Sequence, residues 1–195
     1  MRISLTLVGA LLASAIAVPG ISSDFGDLPD SKKTKAGLYL TSEEAFDMLK
    51  DDNVLLLDVR SRPELIFVGH PSRMNTHIPF MIMPEEASYN AGKKTYNMVQ
   101  NSNFEFDFLD YAEANQLPDE KPILIICRSG SRSARAADMI YDLGFTNVYS
   151  IVDGFEGDKA KDGPEKGHRV VNGWKNAGLE WTYAVTPEQA YPADN

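Results

Sequence analysis

Pro122-Ile-Leu-Ile-Ile-Cys127-Arg-Ser-Gly-Ser-Arg-Ser133-Ala-Arg135 is the stretch from which the fold of this 195-residue chain can be read. An apolar run ends in the only cysteine, and small and basic residues follow it. Beyond them Ala136, Ala137, Ile140 and Leu143 recur at helical spacing, and Gly144 stands where a helix C-terminus is expected. The pattern predicts strand, tight loop and helix, with the thiol at the C-terminal edge of the strand. A loop feeding a helix leaves several backbone N–H groups without intrahelical acceptors. The helix dipole adds positive potential there, and Arg128 and Arg132 add formal charge. Such a setting favours a thiolate and holds an anion, so Cys127 reads as a nucleophile rather than as a small buried hydrophobe.

Working outward, Val54–Val59 is a second continuous apolar run with a single aspartate, the pattern of a parallel strand covered on both faces. Asp58 and Arg60 fall at its C-terminal end, where open α/β sheets build their sites, and charges placed there are normally paired. Gly37–Thr41 predicts an edge strand. Thr41 or Ser42 then caps a helix with Glu43 and Glu44 in its first turn and Asn53 at its close. Residues 67–70 read as a turn, and 77–83 as a short strand. Residues 84–101 form a polar insertion, either a hairpin or a lid. Ser102-Asn103 precedes an amphipathic helix with Phe104, Phe108, Leu109, Tyr111, Ala112 and Leu117 on the apolar face, and Glu105, Asp107, Asp110 and Glu113 toward water. Thr146–Val152 predicts the last strand, 157–172 a surface excursion, and 173–181 a short helix leading into a docking tail. His70, His77 and His168 read as structural. Alternating strands and helices predict a three-layer α/β domain with a central parallel sheet flanked by helices.

Cys127-Arg-Ser-Gly-Ser-Arg-Ser133 resembles the active-site loop of the rhodanese-like sulfurtransferases. Leu57-Asp58-Val59-Arg60, Glu64 and Gly69-His70 resemble a second segment of that family. Val152-Asp153-Gly154-Phe155 resembles a third, with aspartate in place of its first glycine. Together they span about residues 38–182. The resemblance implies that the Cys127 thiolate takes the outer sulfur of a small anionic donor such as thiosulfate. The resulting persulfide passes the sulfur to a thiol or cyanide, or to a periplasmic acceptor protein. Arg128, Ser129, Gly130, Ser131, Arg132 and Ser133 would cradle it, with Asp58, Arg60 and Glu64 as a supporting frame. The chemistry needs no metal or organic cofactor, and the sequence has no paired Cys/His ligand motif.

Two other classes remain in view: a non-enzymatic persulfide carrier, and a cysteine-dependent phosphatase or arsenate reductase. The latter place five residues between cysteine and arginine; here Ser133 holds that position and Arg132 comes one residue early. The net charge of 19 − 28 = −9 argues against nucleic acid and anionic membrane surfaces as partners. Met1-Arg2, the apolar stretch 3–18 and Ala15-Ile16-Ala17 read as a signal peptide over 1–17, with a second possible cleavage site as late as 23. The expectation is export to the periplasm without a membrane anchor, a flexible leader over 18–36, one domain over 37–183 and a loose tail over 184–195.

Overall fold

The two apolar runs lie side by side at the centre of a sheet. The computed structural model describes residues 25–190, so the signal peptide and both cleavage sites lie outside the described residues. The chain forms β1 (Tyr39–Leu40), α1 (Ser42–Met48), β2 (Leu55–Asp58), α2 (Arg62–Val68), β3 (His70–Pro71) and β4 (Thr76–His77). β5 (Met81–Ile82), β6 (Tyr89–Asn90), β7 (Thr95–Tyr96) and β8 (Val99–Gln100) follow. Then come α3 (Phe104–Ala114), β9 (Ile123–Ile126), α4 (Ser131–Asp142), β10 (Val148–Ile151) and β11 (Trp181–Thr182). The main sheet is parallel, in the order β1-β10-β9-β2-β4.

Successive side chains of a strand point to opposite faces. Leu55, Leu57, Ile123, Ile125 and Val148 pack against Phe104, Phe108 and Ala112 of α3 and Ala136, Ala137 and Ile140 of α4. Leu56, Leu124, Ile126 and Ile151 pack on the other face with Ala45, Leu49, Phe155 and Trp174. The result is the expected three-layer architecture, each large buried aliphatic contributing about 1.5–3 kcal/mol. From the centre, the chain leaves β9 through α4 toward β10, and leaves β2 through α2 toward β4. The strand order therefore reverses between β9 and β2, the position at which open α/β sheets place their ligand sites, beyond the C-terminal ends of the strands.

Local signals explain most boundaries. Thr41 caps α1 in a reciprocal box with Glu44. The helix ends at Met48, earlier than expected, and Asn53 belongs to a turn whose amide donates to Asp51. Residues 67–68 belong to α2 rather than to a turn. The unread signal was Ser61-x-x-Glu64 with Pro63 in the first helical turn, a helix-start pattern. The 77–83 strand divides into β4 and β5 around Pro79, which has no N–H for a ladder. On α3 the buried stripe is Phe104, Phe108 and Ala112. Leu109, one step round the helix, is 43% exposed, whereas Asp107 is buried and accepts from Asn101 Nδ2.

The excursions are more ordered than their composition implies. Residues 84–101 hold a hairpin, β6–β7, nested inside the β5–β8 pair, and Gln100 accepts from Arg135 of α4. The stretch read as a flexible leader is described from residue 25, and there it is docked. Lys32 is buried in an ion pair with Asp158, the Lys35 amide donates to Asp138 of α4, and its ammonium pairs with Asp142. The tail is also tied down as far as residue 190. Gln189 O accepts from the His77 amide, Gln189 Nε2 donates to Met74 O, and Ala190 bridges to His77. Residues 173–180 form turns rather than a helix, with Trp174 buried and Trp181 paired to Pro71 across β11 and β3.

Candidate active site

Register brings the site together. Leu57 pairs with Ile125 and Asp58 with Ile126, so β2 and β9 end level, and the Val59 amide donates to Ile126 O. Cys127 follows directly and is buried at the floor of the loop. Gly130, at φ +97°, turns the chain into α4 and aims its N–H at Cys127 Sγ, 3.2 Å away. A Cβ at Gly130 would lie 2.2 Å from Val152 O, so only glycine fits both the conformation and the space. The first-turn amides of α4, from Ser131 to Ser133, follow directly and have no intrahelical acceptors.

Ser133 is buried, and its hydroxyl lies 3.6 Å from Cys127 Sγ. That hydroxyl donates to Gly130 O at 2.8 Å and accepts from Ser150 Oγ at 3.1 Å, bracing the loop from below. Arg128 and Ser131 are exposed and Ser129 is half-buried, so the rim of the cradle faces solvent.

The three residues of the expected frame belong to two separate ion pairs. Asp58 and Arg60 are completely buried. Arg60 Nε lies 3.0 Å from both Asp58 oxygens, Nη2 lies 2.6 Å from Oδ2, and Nη2 also donates to Gly69 O. The guanidinium stacks 4.1 Å from the Phe155 ring centroid. Glu64 instead binds Arg132 in a two-point pair, Nη1 to Oε2 at 2.7 Å and Nη2 to Oε1 at 2.5 Å. It also accepts from the Ser61 amide and hydroxyl. Arg132 is therefore paired with Glu64 of α2, whereas Arg128 is the loop arginine on the solvent side. His70 and His77 are buried and His168 is exposed. His70 lies against the carbonyls of Pro71 and Ala184, His77 Nε2 donates to Arg60 O, and His168 pairs with Glu165.

Burial alone would raise the Glu64 carboxyl, but the hydrogen bonds and charge of Arg132, helped by Ser61, bring it from 4.5 down to about 2. A carboxyl lowered on folding stabilises the fold above its unfolded value and loses that contribution as pH falls toward the folded value. The pair is thus linked to about 3 kcal/mol at neutral pH, lost between about pH 4.5 and 2. In urea titrations, the stability gap between wild type and Glu64→Gln is expected to be widest at pH 7 and to shrink at pH 3.

The loop after β10 closes the cradle from the side. The Phe155 amide donates to Cys127 O at 2.8 Å, and the Glu156 and Gly157 amides donate to Arg128 O. Gly154, at φ +65°, passes so close that a Cβ would lie 2.6 Å from Cys127 O. Gly154→Ala is expected to cost about 2 kcal/mol or more and to displace the loop. A melting curve and the rate of Cys127 modification check both effects. Asp153, which departs from the glycine of the resemblance, accepts from the Ser42 amide and hydroxyl and from the Gly173 amide, joining α1 to the C-terminal segment. Burial raises its carboxyl, against these hydrogen bonds.

The rhodanese-like domain family matches residues 41–161, well over half of the chain. The chain belongs to the rhodanese-like family. The rhodanese-like domain is 34% identical to the Rickettsia conorii protein RC0915 over 145 residues, covering 74% of this chain and 96% of that one. It is 27% identical over 151 residues to the thiosulfate sulfurtransferase GlpE of Actinobacillus succinogenes, covering 76% and 95%. Among solved structures it is similar to Rv0390 from M. tuberculosis, with a TM-score of 0.54, 29% identity and coverage of 75% and 97%. A rhodanese-like domain with a sulfurtransferase relative has a role in sulfur transfer at the level of its family. Among the described residues no group of His, Cys, Asp and Glu could hold a metal ion. Lys32 lies against Gly130, and Arg169 donates to Gly157 O, whose residue in turn bonds Arg128 O; neither was legible in the sequence, since both lie in stretches that read as polar surface or leader.

Proposed function

We propose that the protein is a sulfurtransferase that moves sulfane sulfur from thiosulfate or a related anionic donor through a Cys127 persulfide. The observation that carries this reading is the Gly130 N–H held 3.2 Å from Cys127 Sγ at the mouth of a helix N-terminus. The Cys127 thiolate attacks the outer sulfur of thiosulfate, a new S–S bond forms, and the donor's S–S bond breaks with its electron pair leaving on sulfite. A thiol or cyanide then attacks the terminal sulfur of the persulfide and the Cys127 thiolate departs. Preorganised amides stabilise the anionic sulfur in both steps, and the covalent intermediate divides the transfer in two. Oxyanion clamping by Arg132, the phosphatase alternative, is disfavoured because Glu64 holds that guanidinium. With residues 1–17 as a signal peptide, transfer would take place in the periplasm, to a small thiol or an acceptor protein.

Intact-protein mass after incubation with thiosulfate tests this reading. A gain of one sulfur atom that cyanide removes is the expected result, and saturable turnover separates an enzyme from a carrier. No adduct on folded, reduced protein would overturn it.

A further inference from the structure

We propose that Arg169 joins Arg128 in a two-guanidinium clamp that receives the doubly charged donor beside Cys127. The proposal rests on the sulfur-transfer reading and adds a residue outside the 41–161 region shared with the family.

Arg169 lies on the 157–172 excursion, whose base is locked. The Asp158 amide donates to Asn172 Oδ1 at 2.8 Å, and Asn176 Nδ2 donates to the carbonyls of Glu156, Arg169 and Asn172. Gly157 and Gly173 cross so closely that a Cβ on Gly157 would lie 1.7 Å from Asn172 O. This base is wired to the cysteine loop through one residue. The Gly157 amide donates to Arg128 O at 3.2 Å, and Gly157 O accepts from Arg169 Nη1 at 2.5 Å. A half-buried guanidinium is thereby fixed, through Gly157 alone, to the backbone of Arg128.

The charges around the rim are unevenly compensated. Arg132 is neutralised by Glu64, and Lys32 by Asp158. Among the described residues, neither Arg128 nor Arg169 has a carboxylate at ion-pair distance. Burial and then the Arg128 charge lower the Arg169 guanidinium, while Glu156, Asp158 and Cys127 act in the opposite sense. The Arg128 charge is thus felt at Arg169; an anion bound between the two guanidiniums relieves that repulsion, and planar guanidiniums suit the oxygens of a sulfonate group. A singly charged thiolate or cyanide gains less from two cations than the doubly charged donor does, so the clamp favours donor over acceptor.

Two rates measured on the full chain test the proposal: loading of Cys127 by thiosulfate, and alkylation of Cys127 by anionic iodoacetate relative to neutral iodoacetamide. Arg169→Gln keeps a side-chain donor but carries no charge, and Arg169→Lys retains the charge. Arg169→Gln is expected to slow loading roughly ten-fold and to lower the iodoacetate-to-iodoacetamide ratio several-fold, with the lysine variant between the two because it keeps the charge but not the planar fork. An unchanged iodoacetamide rate shows that the loop is intact. Wild-type loading and ratio in Arg169→Gln would overturn the clamp. Failure of wild type to load from thiosulfate would instead overturn the donor assignment. The alkylation ratio then decides the clamp alone: a fall supports it and no change refutes it.

Discussion

Cys127→Ser is expected to reduce sulfur transfer from thiosulfate to cyanide by about 10⁴-fold or more, while the protein stays folded. The loss follows from the reacting atom. A serine hydroxyl at neutral pH is neither a thiolate nor able to carry a second sulfur, and no other cysteine exists to replace it. The retained fold follows from the surroundings. A hydroxyl at this position meets the Gly130 N–H and the Ser133 hydroxyl, so the buried polar atom has partners. The expected change in stability is within about 1 kcal/mol, which is about 2–4 °C in Tm for a chain of this size. Turnover and a thermal melt on the same preparation check both parts. Residual turnover near wild type would show that another group carries the sulfur, and a collapsed melt would show that the thiol is a packing element first.

Asp58→Ala is expected to be the most destabilising single change at the site, by about 3–5 kcal/mol. The carboxylate removed is the sole anion bonded to a guanidinium with no exposed surface, and Arg60 Nη1 already has no hydrogen-bond partner among the described residues. Truncation leaves a buried cation with only Gly69 O and the Phe155 ring for company. The Arg60 amide loses its bond to Asp58 Oδ1 as well, which loosens the turn between β2 and α2 that positions Glu64. An apolar double replacement, Asp58→Leu with Arg60→Met, is expected to be less destabilising than Asp58→Ala alone, because both desolvated charges then disappear together. Chemical denaturation checks these values, and wild type, Asp58→Leu, Arg60→Met and the double variant together measure the coupling; simple additivity would mean that the pair contributes little as a pair.

The reach of sequence reasoning here follows the distance between interacting residues along the chain. The β9–loop–α4 unit was legible because strand, glycine turn and amphipathic helix are local patterns, and the single cysteine sits where they meet. The Asp58–Arg60 pair was legible because its members are two residues apart. Helix α2 was equally local, and its capping pattern stood in the sequence unread. The partner of Arg132 was of another kind: Glu64 lies 68 positions away, and nothing in either segment specifies the other.

The sequence by itself determined the layered α/β class, the thiol at a helix N-terminus and the glycines that such a turn requires. These depend on hydrophobic period, capping chemistry and backbone conformation, all of which act over a few residues. Which arginines are paired with carboxylates is a matter of tertiary packing. Parallel register brings α2 against α4, and that contact removes Arg132 from the rim. The locked base of the 157–172 excursion puts Arg169 in its place, through a carbonyl that no local pattern could have linked to the cysteine loop. Electrostatic complementarity is set by distance in space, and the chain's path to that distance is fixed by packing rather than by the charged residues themselves.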